Sequence, residues 1–162
     1  MRNSLIAFSM VIVTTLGAGA ETPLVAKVEN AIRSAEPGWR CTRGVFNGPR
    51  PLVPSERLLS LSVWDHISDN GKRESVNLKI SQVDSRADAE TSLEPFREGK
   101  VATGWKVERF KIGDEGFLST FKDGGRFEIS FRKGIIVVKV SSDSFRVAER
   151  FAQHVASEIE AA

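Results

Sequence analysis

The chain has 162 residues, of which 41% are hydrophobic and 27% charged, a composition that excludes a collagen, a coiled coil or a wholly disordered protein. Its 23 Lys and Arg nearly balance its 21 Asp and Glu, so the net charge of +2 gives no reason to expect a nucleic-acid partner. A single Cys excludes an intramolecular disulfide, and two His leave few residues for a metal site or for catalysis.

The N-terminal residues have the order of a secretory signal peptide. Arg2 precedes a mostly apolar run over residues 5–16, and small residues at positions 18–20 precede the polar Glu21. The run is shorter than the roughly 20 apolar residues that a membrane span needs. The sequence therefore predicts a signal peptide over residues 1–20, cleaved after Ala20, a secreted or periplasmic location, and a protein that does not span the membrane.

Residues 21–162 are predicted to form one domain that begins with a helix. Thr22 suits the N-cap, Pro23 suits the first turn, and apolar residues recur at helical spacing as far as Pro37. A short strand is predicted over residues 39–42. Three prolines then predict an irregular loop over residues 47–54.

The next two segments predict a β-hairpin. Leu59, Leu61 and Val63 alternate with two serines and Trp64, which predicts a strand whose leucine face is buried. The Asn-Gly dipeptide at positions 70–71 favours a tight turn into a second alternating strand. Trp64 is thereby predicted on the polar face, where it lies under the proline-rich loop or marks a binding surface.

A second helix is predicted to begin at Ser85 and to end at Gly99. Strands follow over residues 105–109, 117–121, 127–132 and 135–140, with turns between them, and Ser142 or Asp143 is predicted to cap a last helix. The order is helix–strands–helix–strands–helix. We therefore predict an α+β fold, a single mainly antiparallel β-sheet with amphipathic helices packed on it.

Residues 76–90 can be laid on residues 136–149 with one gap, and Lys79 then matches Lys139. This similarity indicates either an internal ββα duplication or the common use of Ser and Asp where a strand leads into a helix.

The strings GDEGF at 113–117 and FRKGIIVVKV at 131–140 precede a helix rich in Ala and Phe. This pattern resembles small exported bacterial proteins of unknown function, and the element order resembles the PsbP-like fold. The resemblance implies an antiparallel sheet with outer helices and an exported binding or accessory role. It implies no catalytic residues.

Basic residues provide the candidate binding site. Arg126, Arg132 and Lys139, alongside Lys106, are predicted to share one sheet face as a basic strip that attracts an anionic ligand, lipid headgroups or an acidic partner. The alternative is an ordinary sheet face with cross-strand charge pairs. With Trp64, the first three residues are the candidate ligand-binding residues.

Catalysis has less support in the sequence. A small exported hydrolase using Asp114, Glu115 or His66 is one alternative, although adjacent side chains in a turn or strand diverge. Cys41 lies between two arginines and is either a reactive thiol or a small buried residue. No metal, cofactor or catalytic residue is predicted. The sequence favours an exported, non-enzymatic binding or accessory module for an unknown protein or an anionic small ligand, with a structural or assembly role as the second alternative.

Overall fold

The computed structural model describes residues 22–44 and 54–159, so the predicted signal peptide and most of the proline-rich loop lie outside the described residues. Within these ranges the helices are α1 (Pro23–Ala35), α2 (Arg86–Ala102) and α3 (Phe145–Glu158). The strands are β1 (Arg40–Arg43), β2 (Arg57–Ile67), β3 (Arg73–Gln82), β4 (Lys106–Arg109), β5 (Glu115–Thr120), β6 (Phe127–Lys133) and β7 (Ile136–Ser142). The predicted α+β class and element order are confirmed.

The strands form one sheet in the order β1-β2-β3-β7-β6-β5-β4, with antiparallel neighbours throughout. Strands β3 and β7 lie at its centre, and their register places Lys79 directly opposite Lys139. Helix α3 packs on β6 and β7 with α1 beside it, whereas α2 lies over β4, β6 and β7 on the other face. The sheet is therefore covered by two helices on one face and partly by one helix on the other.

The larger core lies between the sheet and helices α1 and α3. Phe151 of α3 is fully buried there, and its ring lies 4.9 Å from that of Trp39 and 5.9 Å from that of Trp64. The Trp64 indole is also fully buried and donates a hydrogen bond to Ser62 Oγ at 3.0 Å. Trp64 is thus a core residue that offers no exposed surface to a ligand.

This placement corrects the predicted orientation of β2. The buried face carries Ser60, Ser62 and Trp64, and Leu61 and Val63 are only half-buried on the opposite face. The small serines allow α1 and α3 to pack closely around the large indole, and its burial outweighs that of the aliphatic side chains. A register irregularity between Leu58 and Ser60 lets Leu59 contact the same core.

Two predicted helix boundaries are also wrong. Helix α2 continues past Gly99 to Ala102, because its last turn is held by Lys100, which pairs with Glu128 at 3.0 Å. One interior glycine costs only about 1 kcal/mol, so this contact is sufficient to retain the turn. The N-cap of α3 is Ser144 and neither Ser142 nor Asp143.

Candidate functional site

The predicted basic strip does not form one surface. Lys106 neighbours Val107, which packs with the core beneath α2, so Lys106 points to the opposite face and pairs with Glu108 at 2.8 Å. Arg126 is exposed just before β6, whereas Arg132 and Lys139 lie on the face that α2 partly covers. Of the four residues, only Arg132 and Lys139 therefore share a sheet face within the strands.

Arg132 is held by three carboxylates. Its guanidinium lies 3.1 Å from Glu90, 3.2 Å from Glu115 and 3.6 Å from Asp114. Asp114 also accepts a hydrogen bond from the Gly134 backbone N–H at 2.8 Å, which ties the acidic turn to the β6–β7 turn. Asp114, Glu115 and Arg132 thus lie together beside a cleft of about 470 Å³. The two carboxylates and the guanidinium form ion pairs with one another.

Lys139 lies beneath α2 with its amine over the ring of Phe96. It forms no ion pair or hydrogen bond with the described residues, whereas Lys79 opposite it pairs with Glu56 at 2.6 Å. Burial is the main cause that lowers the pKa of Lys139 to about 7. Glu128 acts in the opposite direction without offsetting the burial.

The two histidines lie in different settings. His66 stacks on Trp39 with ring centres 5.4 Å apart, and its Nδ1 lies 3.4 Å from the Gly38 carbonyl oxygen. His154 Nε2 lies 3.3 Å from a carboxylate oxygen of Glu36. Among residues 22–44 and 54–159, no cluster of three His, Cys, Asp or Glu is placed to hold a metal ion.

Cys41 is half-buried on β1, against the larger core. Burial and the charge of Glu29 raise the pKa of the thiol, and they outweigh the opposite effect of Arg33 and Arg43. The thiol is therefore protonated at neutral pH, which favours the hypothesis of a small buried residue over that of a reactive thiolate.

A second cleft, of about 430 Å³, lies where the starts of β1 and β3 meet the end of β2. It is lined by Gly38, Arg40, Asp65, His66, Ile67 and Arg73. The backbone of Gly38 has φ +96°, and a Cβ there would meet the His66 ring at 3.4 Å. Glycine therefore allows the turn after α1 to approach β2 closely. We refer to this cavity as the arginine cleft.

The arginine cleft combines positive charge with apolar surface. The Arg73 guanidinium binds Asp65 at 3.1 Å, whereas the Arg40 side chain forms no ion pair or hydrogen bond with any described residue. The hydroxyl of Ser75, and then Arg73, lower the pKa of Asp65, so that carboxyl is ionised at neutral pH. The side chain of Ile67 is 70% exposed. Two guanidiniums against one carboxylate leave an excess positive charge beside an apolar side chain.

The sequence analysis did not identify Arg40, Arg73 or Ile67 as a site. The available signal was alternation: once Trp64 is placed in the core, Ile67 three positions later must face outward. No sequence signal pairs Ile67 with Arg73, because that contact depends on the register of the β2–β3 hairpin.

The fold and the arginine cleft define an α+β protein with one antiparallel sheet and a basic, partly apolar cleft where β1 and β3 begin and β2 ends. Across the described residues, none of the helices combines the length and the apolar character needed to cross a bilayer.

No family model and no curated protein matches the chain significantly. Among solved structures it is similar to LpqN of Mycobacterium tuberculosis, described as involved in cell envelope biogenesis. The match has 13% sequence identity and a TM-score of 0.35, over 80% of this chain and 93% of that chain. This likeness is too low to assign a family or a function.

Proposed function

We propose that the chain is an exported, non-enzymatic binding module that holds a small anionic ligand with an apolar body in the arginine cleft. The observation that carries the proposal is the Arg40 guanidinium, which lines the cleft without a partner among the described residues. Export rests on the order of charged, apolar and small residues over positions 1–20.

The chemistry of the cleft supports an anionic head on the ligand. A guanidinium presents several N–H donors in one plane and binds a carboxylate or phosphate through two parallel hydrogen bonds. Asp65 already holds the Arg73 side chain in place. Both arginines can therefore contact one anion, and Arg73 need not be reoriented when the anion binds.

The apolar part of the proposal rests on Ile67. A side chain that is 70% exposed within a concave surface loses water-exposed apolar area when a ligand covers it. The volume of about 430 Å³ falls in the range of roughly 300–1,000 Å³ typical of small-molecule sites. A medium-chain carboxylate or phosphate ester satisfies both requirements.

Two features favour binding over catalysis in the cleft. The lowered pKa of Asp65 makes its carboxylate a weak general base at neutral pH. The His66 ring is stacked on Trp39, a residue of the larger core, which restricts its movement toward a bound molecule.

Isothermal titration with decanoate tests the proposal, with decanol and decyltrimethylammonium as ligands of the same apolar length but different charge. We expect decanoate to bind at least tenfold more tightly than either. A hydrogen bond to a charged group contributes about 1.5–3 kcal/mol, and about 1.4 kcal/mol corresponds to tenfold in Kd. The variant Arg40→Gln should therefore raise the Kd of decanoate about tenfold or more.

The matched control is Arg126→Gln, which removes an exposed arginine far along the chain, before β6. We expect its Kd to equal that of the unmodified protein. A Kd that rises in Arg126→Gln and not in Arg40→Gln refutes the arginine cleft as the site, and so does equal affinity for decanoate and decanol.

A further inference from the structure

Strand β4 forms one edge of the sheet. It pairs with β5, and no other strand in the part of the chain that the structure describes lies beside it. The Phe110 N–H donates to the Gly116 carbonyl oxygen at 2.9 Å, and this bond fixes the alternation of the antiparallel pair. Residues 106 and 108 therefore turn their backbone groups toward β5, whereas Val107 and Arg109 present theirs at the outer edge. Such an edge can accept a further strand.

Two exposed cations lie where β4 ends. Arg109 and Lys111 both line the cleft of about 470 Å³, and neither forms an ion pair or a hydrogen bond with any described residue. The carboxylates of the same cleft, Asp114 and Glu115, are paired with Arg132. Arg109 and Lys111 are therefore available to an anionic group from outside the chain.

The other end of β4 is apolar. Trp105 directly precedes the strand and contacts α2 through the Lys100 amine, which lies 3.6 Å from the centre of one of its rings. Because side chains alternate along a strand, Trp105, Val107 and Arg109 share the face that α2 partly covers. The Trp105 ring packs edge-on against Phe121, which is 38% exposed. Along one face, the edge thus presents an aromatic pair, an aliphatic side chain and then the two cations.

We propose that β4 binds an extended acidic segment of a partner protein as an added antiparallel strand. The backbone groups of Val107 and Arg109 bind the main chain of the segment, as in other complexes formed by strand addition. Acidic side chains of the segment contact Arg109 and Lys111. An apolar side chain four residues after the acid opposite Arg109 contacts Trp105, because an antiparallel segment runs from the cations toward the aromatic pair.

Charge makes an acidic segment a better occupant than a second copy of this chain. Two copies joined through β4 would bring the unpaired Arg109 and Lys111 of both copies to one junction, and like charges across an interface lower affinity. Short, charged edge strands also prevent indiscriminate pairing, and the same charges select an acidic segment over a neutral or basic one. In the sheet, β4 lies at the opposite edge from β1, so this proposal does not depend on a ligand in the arginine cleft.

Isothermal titration of the chain with the peptide acetyl-Glu-Ser-Glu-Thr-Val-Thr-Phe-amide tests the proposal. In an antiparallel pair its glutamates lie opposite Lys111 and Arg109, its valine opposite Val107 and its phenylalanine opposite Trp105. The reference peptide has lysine in place of both glutamates. We expect the acidic peptide to bind at least about tenfold more tightly at low salt, because the exchange turns two attractive contacts into two repulsive ones.

N-methylation of the peptide separates strand addition from attraction between charges alone. A methyl group on the valine nitrogen removes the hydrogen bond to the Val107 carbonyl oxygen and should abolish binding. The N–H of the threonine that follows points away from β4, so its methylation should leave most of the affinity. Hydrogen exchange of the Val107 and Arg109 amides should also slow at least about tenfold when the acidic peptide is bound.

Substitutions locate the charged contacts. The double variant Arg109→Gln/Lys111→Gln should raise the Kd of the acidic peptide about fivefold or more, because it removes two surface ion pairs. Arg146→Gln is the matched control, since Arg146 is an exposed arginine of α3 on the other side of the sheet, and its Kd should be unchanged. Circular dichroism confirms that the affinities are compared between folded proteins.

Four results would each overturn the proposal. They are no binding of the acidic peptide at millimolar concentration, equal affinity for the lysine peptide, equal losses from methylation of the valine and of the threonine, and an effect of the double variant no larger than that of Arg146→Gln. A dimer in sedimentation velocity that slows exchange of the Val107 and Arg109 amides without peptide would assign the edge to a second copy and also overturn the proposal.

Discussion

Replacing Lys139 with methionine should change how stability depends on pH. The amine has a pKa of about 7 in the folded chain and an ordinary pKa of about 10.4 when unfolded. Between these values the unfolded state binds more protons than the folded state, so the free energy of unfolding rises with pH. Below the lower value both states carry the proton, and the contribution no longer changes.

The size of the effect follows from the same two values. One proton of difference corresponds to about 1.36 kcal/mol per pH unit. The folded amine is half protonated at pH 7 and almost fully deprotonated at pH 9, so the unmodified chain should gain about 2 kcal/mol over this interval relative to Lys139→Met. The variant has no titrating group at this position.

Urea unfolding of both proteins at pH 5, 6, 7, 8 and 9 measures this difference. The charged groups that face Lys139 are present in both proteins; they are Lys79, Lys100, Glu56 and Glu128. The difference in unfolding free energy should be nearly constant from pH 6 downward and should grow steadily above pH 7. Parallel stability curves up to pH 9 would refute the lowered pKa and the burial argument behind it.

Three further predictions concern the fold. Trp64→Ala should reduce the free energy of unfolding by about 3–5 kcal/mol in urea, and a loss below about 1 kcal/mol contradicts its core position. Gly113→Ala should lower Tm clearly more than Gly71→Ala, because both glycines have positive φ but only at Gly113 would a Cβ clash with the Arg132 carbonyl; equal shifts in Tm exclude this steric reason. Cys41 should react with a disulfide reagent at pH 7 at least about tenfold more slowly in the folded chain than in urea, and equal rates contradict its raised pKa.

The strand β2 shows how far the sequence determines the fold. Alternation correctly predicts a strand and the tight turn that follows it, because these features depend on neighbouring residues. Alternation also divides β2 into two faces, but it does not say which face the helices cover. Hydrophobicity favours the leucines, whereas the structure buries Trp64 with two serines because the packing of α1 and α3 decides the choice.

The candidate site depends even more on contacts between distant parts of the chain. Arg132 is neutralised in part by Glu90, 42 positions earlier, which no local pattern reveals. Arg40 and Arg73 line one cleft because β1 and β3 flank β2. Strand alternation predicted an anionic ligand at Arg126, Arg132 and Lys139, whereas only the order and register of the strands bring Arg40 and Arg73 together.

The most direct test of the arginine cleft is a crystal structure of the chain grown with decanoate. The account predicts that the carboxylate lies within about 3 Å of guanidinium nitrogens of Arg40 and Arg73, with the alkyl chain against Ile67. A carboxylate bound instead beside Arg109 and Lys111 in the other cleft, or a crystal without decanoate in the arginine cleft, would contradict the account.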